Sequence, residues 1–364
     1  MRVTCPLHRS TFDLTSGCKI SGPEAGDLDV VERVAGSRYA AQDVWMPASE
    51  SITEWDADFH ALMLGDRLRM TAFRTAIHEV VTPGSVVVDL GTGTGILAQW
   101  ALEAGAARVY GIDFNEAVLD TAVQRIAKAG LGERFRPVHG MSFDIELPER
   151  AGVIISETLG NIADNEGCVR ILADARTRWL TDDGVMLPST VESYLVPVAA
   201  GRAHRSVASG QTRGGTVAGN RFGTYYDTIL PLDTYLATPR LARRYEFTST
   251  ETDEYTISTS FLVGHDGVFT GFKGYFVADL SPTVTMDISG DDITRRLTSD
   301  SWKHCYLPVE TPVEVWAGDR ITLTFSRSGA SDSGSFGQRY RWAGSVVRDT
   351  TVLAGFDHES GTAR

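Results

Sequence analysis

The sequence predicts an α/β chain, a doubly wound parallel sheet followed by an antiparallel β domain of sandwich or barrel type. Three observations carry this. Between about residues 85 and 187, short apolar runs alternate with amphipathic stretches, the pattern of parallel strands joined by crossover helices. A glycine-rich turn, "GTGTG", separates the first apolar run from the helix after it. Beyond residue 245, β-branched and aromatic runs are separated by turn residues, as in antiparallel sheets.

Each element follows from local pattern. Residues 1–40 contain glycine and proline and show no long period. From Asp58 to Val80, the residues Phe59, Leu62, Met63, Leu68 and Phe73 recur at helical intervals. "TPGS" then punctuates the chain before "VVVDL" (86–90), a run apolar enough for a strand buried on both faces. The glycine turn opens a helix, "RVYGID" (108–113) is the next strand, and "EAVLDTAVQRIAKAG" is a helix closed by Gly130. "AGVIISE" (151–157) is a further strand, and "GCVRILADARTRWL" is a helix ending at a "TDDG" turn. Residues 200–225 are polar and glycine-rich without an apolar stripe, which suggests an arm or long connection. "YTISTSFLV", "TGFKGYFVADL", "CYLPVETPVEVW" and "RITLTFSR" are the strands of the β domain, and a frayed tail follows Gly355.

The bulk numbers narrow the function classes. The chain has 364 residues, more than one compact core usually serves, and its 42% hydrophobic and 22% charged content is ordinary for a globular protein. No apolar run approaches the roughly 18–20 residues that cross a bilayer. "MRVTCPLHRS" leads into no hydrophobic stretch, so a cytoplasmic protein without a membrane partner is expected. A net charge of −13 works against nucleic-acid binding and suits a cationic substrate. Cys5, Cys18, Cys168 and Cys305 are too few and scattered for a disulfide framework.

The glycine turn has a ligand to answer for. Gly91, Gly93 and Gly95 lie where backbone approaches a bound group. Asp113 ends the second strand, where a carboxylate can take both hydroxyls of a ribose. Asp89 stands just ahead of the glycines, and the spacing is GxGxG, two features that disfavour a pyrophosphate. They suit a ligand with a positive end, such as S-adenosylmethionine. "VVDLGTGTGILAQWALEAGAARVYGID" resembles the first two motifs of class I methyltransferases. Met141 and Ser142, after the third strand, complete the set of cofactor candidates.

Two carboxylates then stand at the ends of one loop, in "IISETLGNIADNE". Close carboxylates repel and are costly to bury, so a cation belongs between them. The loop resembles the double-glutamate loop of the protein arginine methyltransferase family, S-E-x-x-G with a second glutamate nine residues after the first, here Ser156, Glu157, Gly160 and Glu166. "HALMLGDRLRMTAFRTAI" resembles the family's helix over the cofactor, with Met63, Asp66 and Arg69, and family precedent has Arg69 meet the cofactor's carboxylate. "RWLTDDGVMLPSTVESYLVPV" resembles the passage into its β domain, and "DSWKHCYLPVETPVEVWAGDRITLTF" its tryptophan loop, with Trp302. The resemblance implies methyl transfer from S-adenosylmethionine to a guanidino nitrogen, with Glu157 and Glu166 as the clamp. An N-cap role for Glu166 on the following helix is the plainer alternative.

The pattern departs from the family on the substrate side. Asp300 and Ser301 precede Trp302 where the family has Thr-His, so Asp66 lacks its usual partner unless His304 or Lys303 replaces it. "ESITEWDADFH" has no tyrosine where the family's tyrosine-bearing segment stands. The acceptor is therefore a protein-bound arginine, a small guanidine such as free arginine, or another small amine or hydroxyl. The family dimerises through an arm, for which residues 200–230 are the candidate.

"VTCPLHRSTFDLTSGCKISGPEA" resembles the second half of a Rieske iron–sulfur domain, with Cys5 and His8 as its C-x-x-H pair. Two further ligands would be needed, and Cys18 is wrongly placed to be one, so no cluster or other metal site is expected. One explanation is a start codon assigned too late, which would make the longer chain a redox-linked methyltransferase with a [2Fe–2S] centre; a remnant is the other. The expected division is a Rieske-like fragment and linker at 1–40, the cofactor-binding domain at 41–188, the β-rich domain at 189–355 and a disordered tail at 356–364.

Overall fold

The computed structural model describes residues 2–4, 11–13, 19–21, 40–49, 57–217, 219–248, 251–290, 299, 301–329 and 338–361. Cys5, His8 and Cys18 lie outside the described residues.

Five parallel strands form the first sheet, in the order Phe135–His139, Arg108–Asp113, Val86–Leu90, Ala151–Ser156, Leu180–Leu187. The chain winds outward from Val86–Leu90 in both directions, so the strand order reverses beside it. That reversal opens a crevice at the strands' carboxyl ends, where such sheets bind ligands. Buried Val87, Val88, Val109, Ile112, Val153, Ile154 and Ile155 explain why these strands read as unbroken apolar runs.

Helices α1 (Ala57–Gly65) and α2 (Arg67–Val80) replace the single helix that the spacing from Asp58 suggests. The break is Asp66, in extended conformation, whose Oδ1 accepts the Arg69 amide at 3.2 Å and caps α2. Helix α3 (Ile96–Glu103) follows the glycine turn, and α4 (Glu116–Lys128) is capped by Asn115. Helix α5 (Cys168–Trp179) leads straight into the strand Leu180–Leu187. The expected "TDDG" turn is absorbed there as a bulge, because Leu180 pairs Ala151 while Val185 already pairs Val153.

The chain crosses into the β-rich half through the cis Leu187–Pro188 peptide. A seven-stranded sheet there runs Arg240–Tyr245, Thr190–Val198, Gly267–Ser281, His304–Val315, Tyr226–Thr228, Val44–Trp45, with Val284–Asp287 paired to Gly267–Ser281. Val44–Trp45 thus serves the β-rich sheet from ahead of the parallel sheet. A second antiparallel sheet holds Tyr255–Leu262, Arg320–Gly329, Gln338–Arg348 and Thr351–Glu359. One core runs from the parallel sheet through Tyr245, Tyr275 and Phe276 to Trp302, and another fills the space between the two antiparallel sheets.

Two expectations are corrected here. The polar segment after residue 200 forms helix α6 (Gly201–Ser209), which buries Ala203, His204 and Val207 against its own sheet. Its stripe was hidden because one of its three members is a histidine, held at 2.9 Å by the Val309 carbonyl. The expected tail at 356–364 instead begins as strand, since Thr351–Glu359 pairs with the strand before it. Phe356 packs on Phe269 and Phe272, and the Tyr340 amide donates to Ser360 Oγ at 2.8 Å, which together hold it down.

Gly95 shows how close the packing is around the glycine turn. It has φ +79°, and a Cβ there would stand 2.7 Å from Ala122 Cβ and 3.0 Å from its Cα. Gly95→Ala is expected to cost about 1–3 kcal/mol through overpacking and left-handed strain, read as a lower urea midpoint at unchanged m-value.

Candidate active site

A cavity opens at the strand-order reversal, lined by Gly91, Gly93, Asp113, Met141, Ser142, Met63, Arg69, Glu157 and Glu166 among others. Nine of the sequence candidates therefore meet in one place. Gly95 is absent from the lining because its task is the α3–α4 contact. Asp89 lies beneath the turn, fully buried, where its Oδ2 accepts Thr92 Oγ1 at 2.7 Å and its Oδ1 has no hydrogen-bond partner. Burial pushes its carboxyl up to about 7, against the pull of the Thr92 hydroxyl. Asp113 accepts the Gly93 amide at 2.8 Å and the Asn115 amide at 2.9 Å, one on each oxygen. Each oxygen keeps a lone pair for a further donor.

The loop from Glu157 to Glu166 leaves the end of strand Ala151–Ser156. Its tip is closed by reciprocal backbone bonds between Gly160 and Ala163, and Ala163 takes the left-handed φ of +73°. Non-glycine residues held there are strained and persist where their surroundings over-determine them. What over-determines this loop is Asp164, 1% exposed, whose carboxylate accepts the hydroxyls of Tyr245 at 2.6 Å, Tyr255 at 2.9 Å and Tyr340. Arg327 stands beside it at 3.6 Å and donates to the Asp164 carbonyl at 3.1 Å. All four partners come from the β-rich half.

At the loop's start, Glu157 Oε2 is ion-paired with Arg69 Nη2, and its Oε1 accepts the Leu159 amide at 3.3 Å. The Arg69 guanidinium also lies 5.4 Å from the Trp302 ring centroid. Trp302 is fixed by donating Nε1 to the Leu159 carbonyl at 2.6 Å and by an edge-on contact with Phe276. Burial raises the Glu157 carboxyl, with Arg69 pulling it back. Glu166, at the other end, is pushed up to about 8 by burial first and by the neighbouring Glu157 second. It caps nothing, because the N-cap of α5 is Gly167, with no side-chain bond.

Asp66 is satisfied by neither of the expected substitutes. Its Oδ2 accepts Ser299 Oγ at 2.6 Å, Ser301 Oγ at 2.7 Å and the Ser301 amide at 3.0 Å. His304 accepts the Leu230 amide on Nδ1 and contacts the Ile288 carbonyl through Nε2, and burial holds it well below its ordinary pKa. Lys303 sits over the Trp45 ring at 4.9 Å. Two serines therefore do for Asp66 what one histidine would do, and both tie α2 to the tryptophan loop.

Sequence reasoning missed a polar network on the acceptor side. Asn161 Nδ2 donates to Asp227 at 2.7 Å, Asn165 Nδ2 to Asn161 Oδ1 at 3.0 Å and to Ser49 Oγ at 2.9 Å. The pair of asparagines, Asn161 and Asn165, inside the loop was the available signal.

The comparisons with known proteins agree with this layout. Residues 87–184 match the family model described as a methyltransferase domain, and residues 190–348 match the one described as the PRMT5 oligomerisation domain. The crystal structure of Arabidopsis thaliana protein arginine methyltransferase 10 superposes with a TM-score of 0.71 at 22% identity, over 85% of this chain and 99% of that one. This is a methyltransferase fold with an antiparallel β domain. The Trypanosoma brucei PRMT1 enzyme–prozyme complex with AdoHcy gives a TM-score of 0.72 at 19% identity, over 84% of this chain and 98% of that one. In sequence, the probable protein arginine N-methyltransferase 6.1 of Oryza sativa subsp. indica is 34% identical over 197 residues, 53% of this chain and 49% of that protein. The matched region spans between a third and a half of the curated relatives' length. Among the described residues, no helix is long and apolar enough to cross a membrane, and no cluster of His, Cys, Asp or Glu could hold a metal.

Asp164 offers the cleanest test of how this methyltransferase fold holds its loop. Asp164→Ala strands three tyrosine hydroxyls and the Arg327 charge in the interior, and is expected to cost about 3–5 kcal/mol. Calorimetry checks the loss, and Asp164→Asn, which keeps an acceptor, should recover part of it.

Proposed function

We propose that the chain is an S-adenosylmethionine-dependent methyltransferase acting on a guanidino nitrogen of arginine, free or protein-bound. Arg69 carries the reading. A guanidinium already rests between the Glu157 carboxylate and the Trp302 ring, in a recess that Glu166 and Asp227 also line. An acceptor guanidinium would find the same partners. The names of the relatives, and the AdoHcy of the trypanosomal complex, support the same chemistry and cofactor.

The cavity fits that cofactor by its donor set. Asp113 faces it with carboxylate oxygens suited to ribose hydroxyls, and Ile96, Leu97, Phe114 and Met141 give apolar walls for a base. Above Gly93 the space is open, since a Cβ there would meet nothing nearer than the Gly91 carbonyl at 3.9 Å. Gly91, Thr92 and Ser142 complete the lining, and Arg69 would pair with the terminal carboxylate. Bound there, the cofactor supplies an electrophilic sulfonium methyl.

The chain's own residues do the rest. A guanidinium keeps its charge in proteins and is a poor nucleophile. Glu157 and Glu166 would hold it by charge-assisted hydrogen bonds and draw positive charge toward the bonded nitrogens, leaving the third richer in electrons. Orientation of this kind is worth up to about 7–11 kcal/mol in ideal cases. Glu166, whose carboxyl is raised to about 8, is suited to take the departing proton. For the acceptor to enter, Arg69 must leave Glu157, and the cofactor cavity that it also lines is where it can go.

A homodimer through residues 190–348, the stretch matched to an oligomerisation domain, belongs to the same proposal. The remaining alternative, a different small amine or hydroxyl, is an outcome of the first experiment.

That experiment is mass spectrometry after incubation with methyl-labelled cofactor and either free arginine or an arginine-rich peptide. Label is expected on a guanidine. Glu157→Gln and Glu166→Gln should each lower kcat by about 10²–10⁴-fold, the usual range for a lost acid–base group, while cofactor Kd moves far less. Equal losses in both would refute the clamp.

The pH dependence follows from Glu166. Below about pH 8 its carboxyl is largely protonated in the empty site and attracts a cation weakly. Acceptor kcat/KM should rise with pH and level off above about 8, and Glu166→Gln should flatten that rise.

A further inference from the structure

A smaller recess adjoins the cofactor cavity and shares Met63, Arg69, Glu157 and Glu166 with it. Ser49, Asn161 and Asn165 also line it, and all three are buried. Among the described residues, the Glu166 carboxylate accepts no hydrogen bond, so its direction is inherited from the backbone that carries it. Gly167 follows, in the left-handed region at φ +74° where α5 begins. Asn165 precedes, with no exposed surface.

The Asn165 carboxamide uses both of its hydrogens. Nδ2 donates to Ser49 Oγ at 2.9 Å and to Asn161 Oδ1 at 3.0 Å, while Oδ1 accepts the Ile162 amide at 3.2 Å. The bonds run on from there. Asn161 Nδ2 donates to Asp227 Oδ1 at 2.7 Å, and Ser49 Oγ meets the Tyr225 hydroxyl at 3.0 Å. The loop is thereby tied across 116 positions to a residue ahead of α1, and across 66 positions to the β-rich sheet. The carboxamide also has a seat. A Cβ on Gly160 would collide with Asn165 Oδ1 and Cγ and stand 3.0 Å from its Nδ2. Gly160 is not one of the glycines with positive φ, so its missing side chain serves this contact and not a turn.

A buried carboxamide is a costly way to fill space, since every hydrogen bond left unmade is felt. An apolar side chain would pack the same loop without partners. What a fully bonded amide adds is one fixed orientation. Position 165 has a use for that, because the next residue must aim a carboxylate at a guanidinium. A misplacement of about 1 Å in such a group can cost about a hundredfold in rate. Asp164 anchors the tip toward the tyrosines of the β-rich half, which leaves the recess side to be fixed separately. We propose that Asn165 is the positioning residue of Glu166: seated on Gly160 and latched to Ser49 and Asn161, it sets the angle at which the second carboxylate meets the acceptor. This rests on the arginine-methylation reading above.

The test is a double-mutant cycle on kcat for methylation of arginine, free or peptidic, whichever takes label. Asn165→Ala should lower kcat about 10–100-fold while cofactor Kd stays within about threefold. In a Glu166→Gln background the same change should matter by no more than about threefold, because Asn165 acts through that carboxylate. A side chain that only stabilises the fold would cost the same factor in both backgrounds. That result overturns the inference and leaves the proposed function standing. Ser49→Ala removes one of the three bonds and should lower kcat about fivefold, with the same coupling to Glu166→Gln. It carries the cycle if Asn165→Ala fails to fold. The seat is tested without turnover. Gly160→Ala should lower Tm in the wild type and lower it far less in Asn165→Ala, where the colliding amide is gone. Equal Tm losses in the two backgrounds overturn the seat and the inference with it. No label on any guanidine in the wild type overturns both this inference and the proposed function.

Discussion

One buried carboxylate holds the site together. Asp164 takes three tyrosine hydroxyls and lies against Arg327, all within the interior. Burial keeps Tyr245, Tyr255 and Tyr340 well above the ordinary tyrosine pKa, so each stays a neutral donor. An isolated charge at that depth would be costly. With three hydroxyl donors and a guanidinium around it, the same charge becomes a fixed anchor for the loop tip. The two glutamates at the loop's ends can then face a cavity, because the residues between them face the β-rich half.

The carboxylates inside the site are treated in the opposite way. Asp164 is over-satisfied, whereas Glu166 accepts no hydrogen bond among the described residues, and burial raises it. Glu157 is held by Arg69, a residue of the chain's own α2. The site thus already holds one cation, supplied by the chain itself. Ser299 and Ser301 on Asp66, and Trp302 on Leu159, keep the walls around Arg69 in place.

Sequence pattern and structure agree where the information is local. "VVVDL" and "RVYGID" are strands over the same residues, since a parallel strand buried on both faces leaves an unbroken apolar run. Glu157 and Glu166 were legible because a loop past a strand end had no structural use for them. Asp66 was legible as important, but its serine partners were not, because two small hydroxyls 233 and 235 positions away carry no local signature. Helix α6 hid its stripe behind a histidine, and the last four residues of the strand Thr351–Glu359 read as a tail because only Phe356 among them is apolar.

The anchoring of the loop also sets an order of events on the ribosome. The parallel sheet is complete by Leu187, and its longest pairing, Val87 with Val153, spans 66 positions. The hydroxyl of Tyr340 reaches Asp164 across 176 positions, and the Tyr340 amide in turn waits for Ser360. Contacts that distant form late, after the local ones, and the N-terminal half emerges first. A nascent chain can therefore shape its cofactor crevice long before it can fix the acceptor loop. Until the last strands are made, the growing polypeptide has a nucleotide-type pocket and no place to put a substrate.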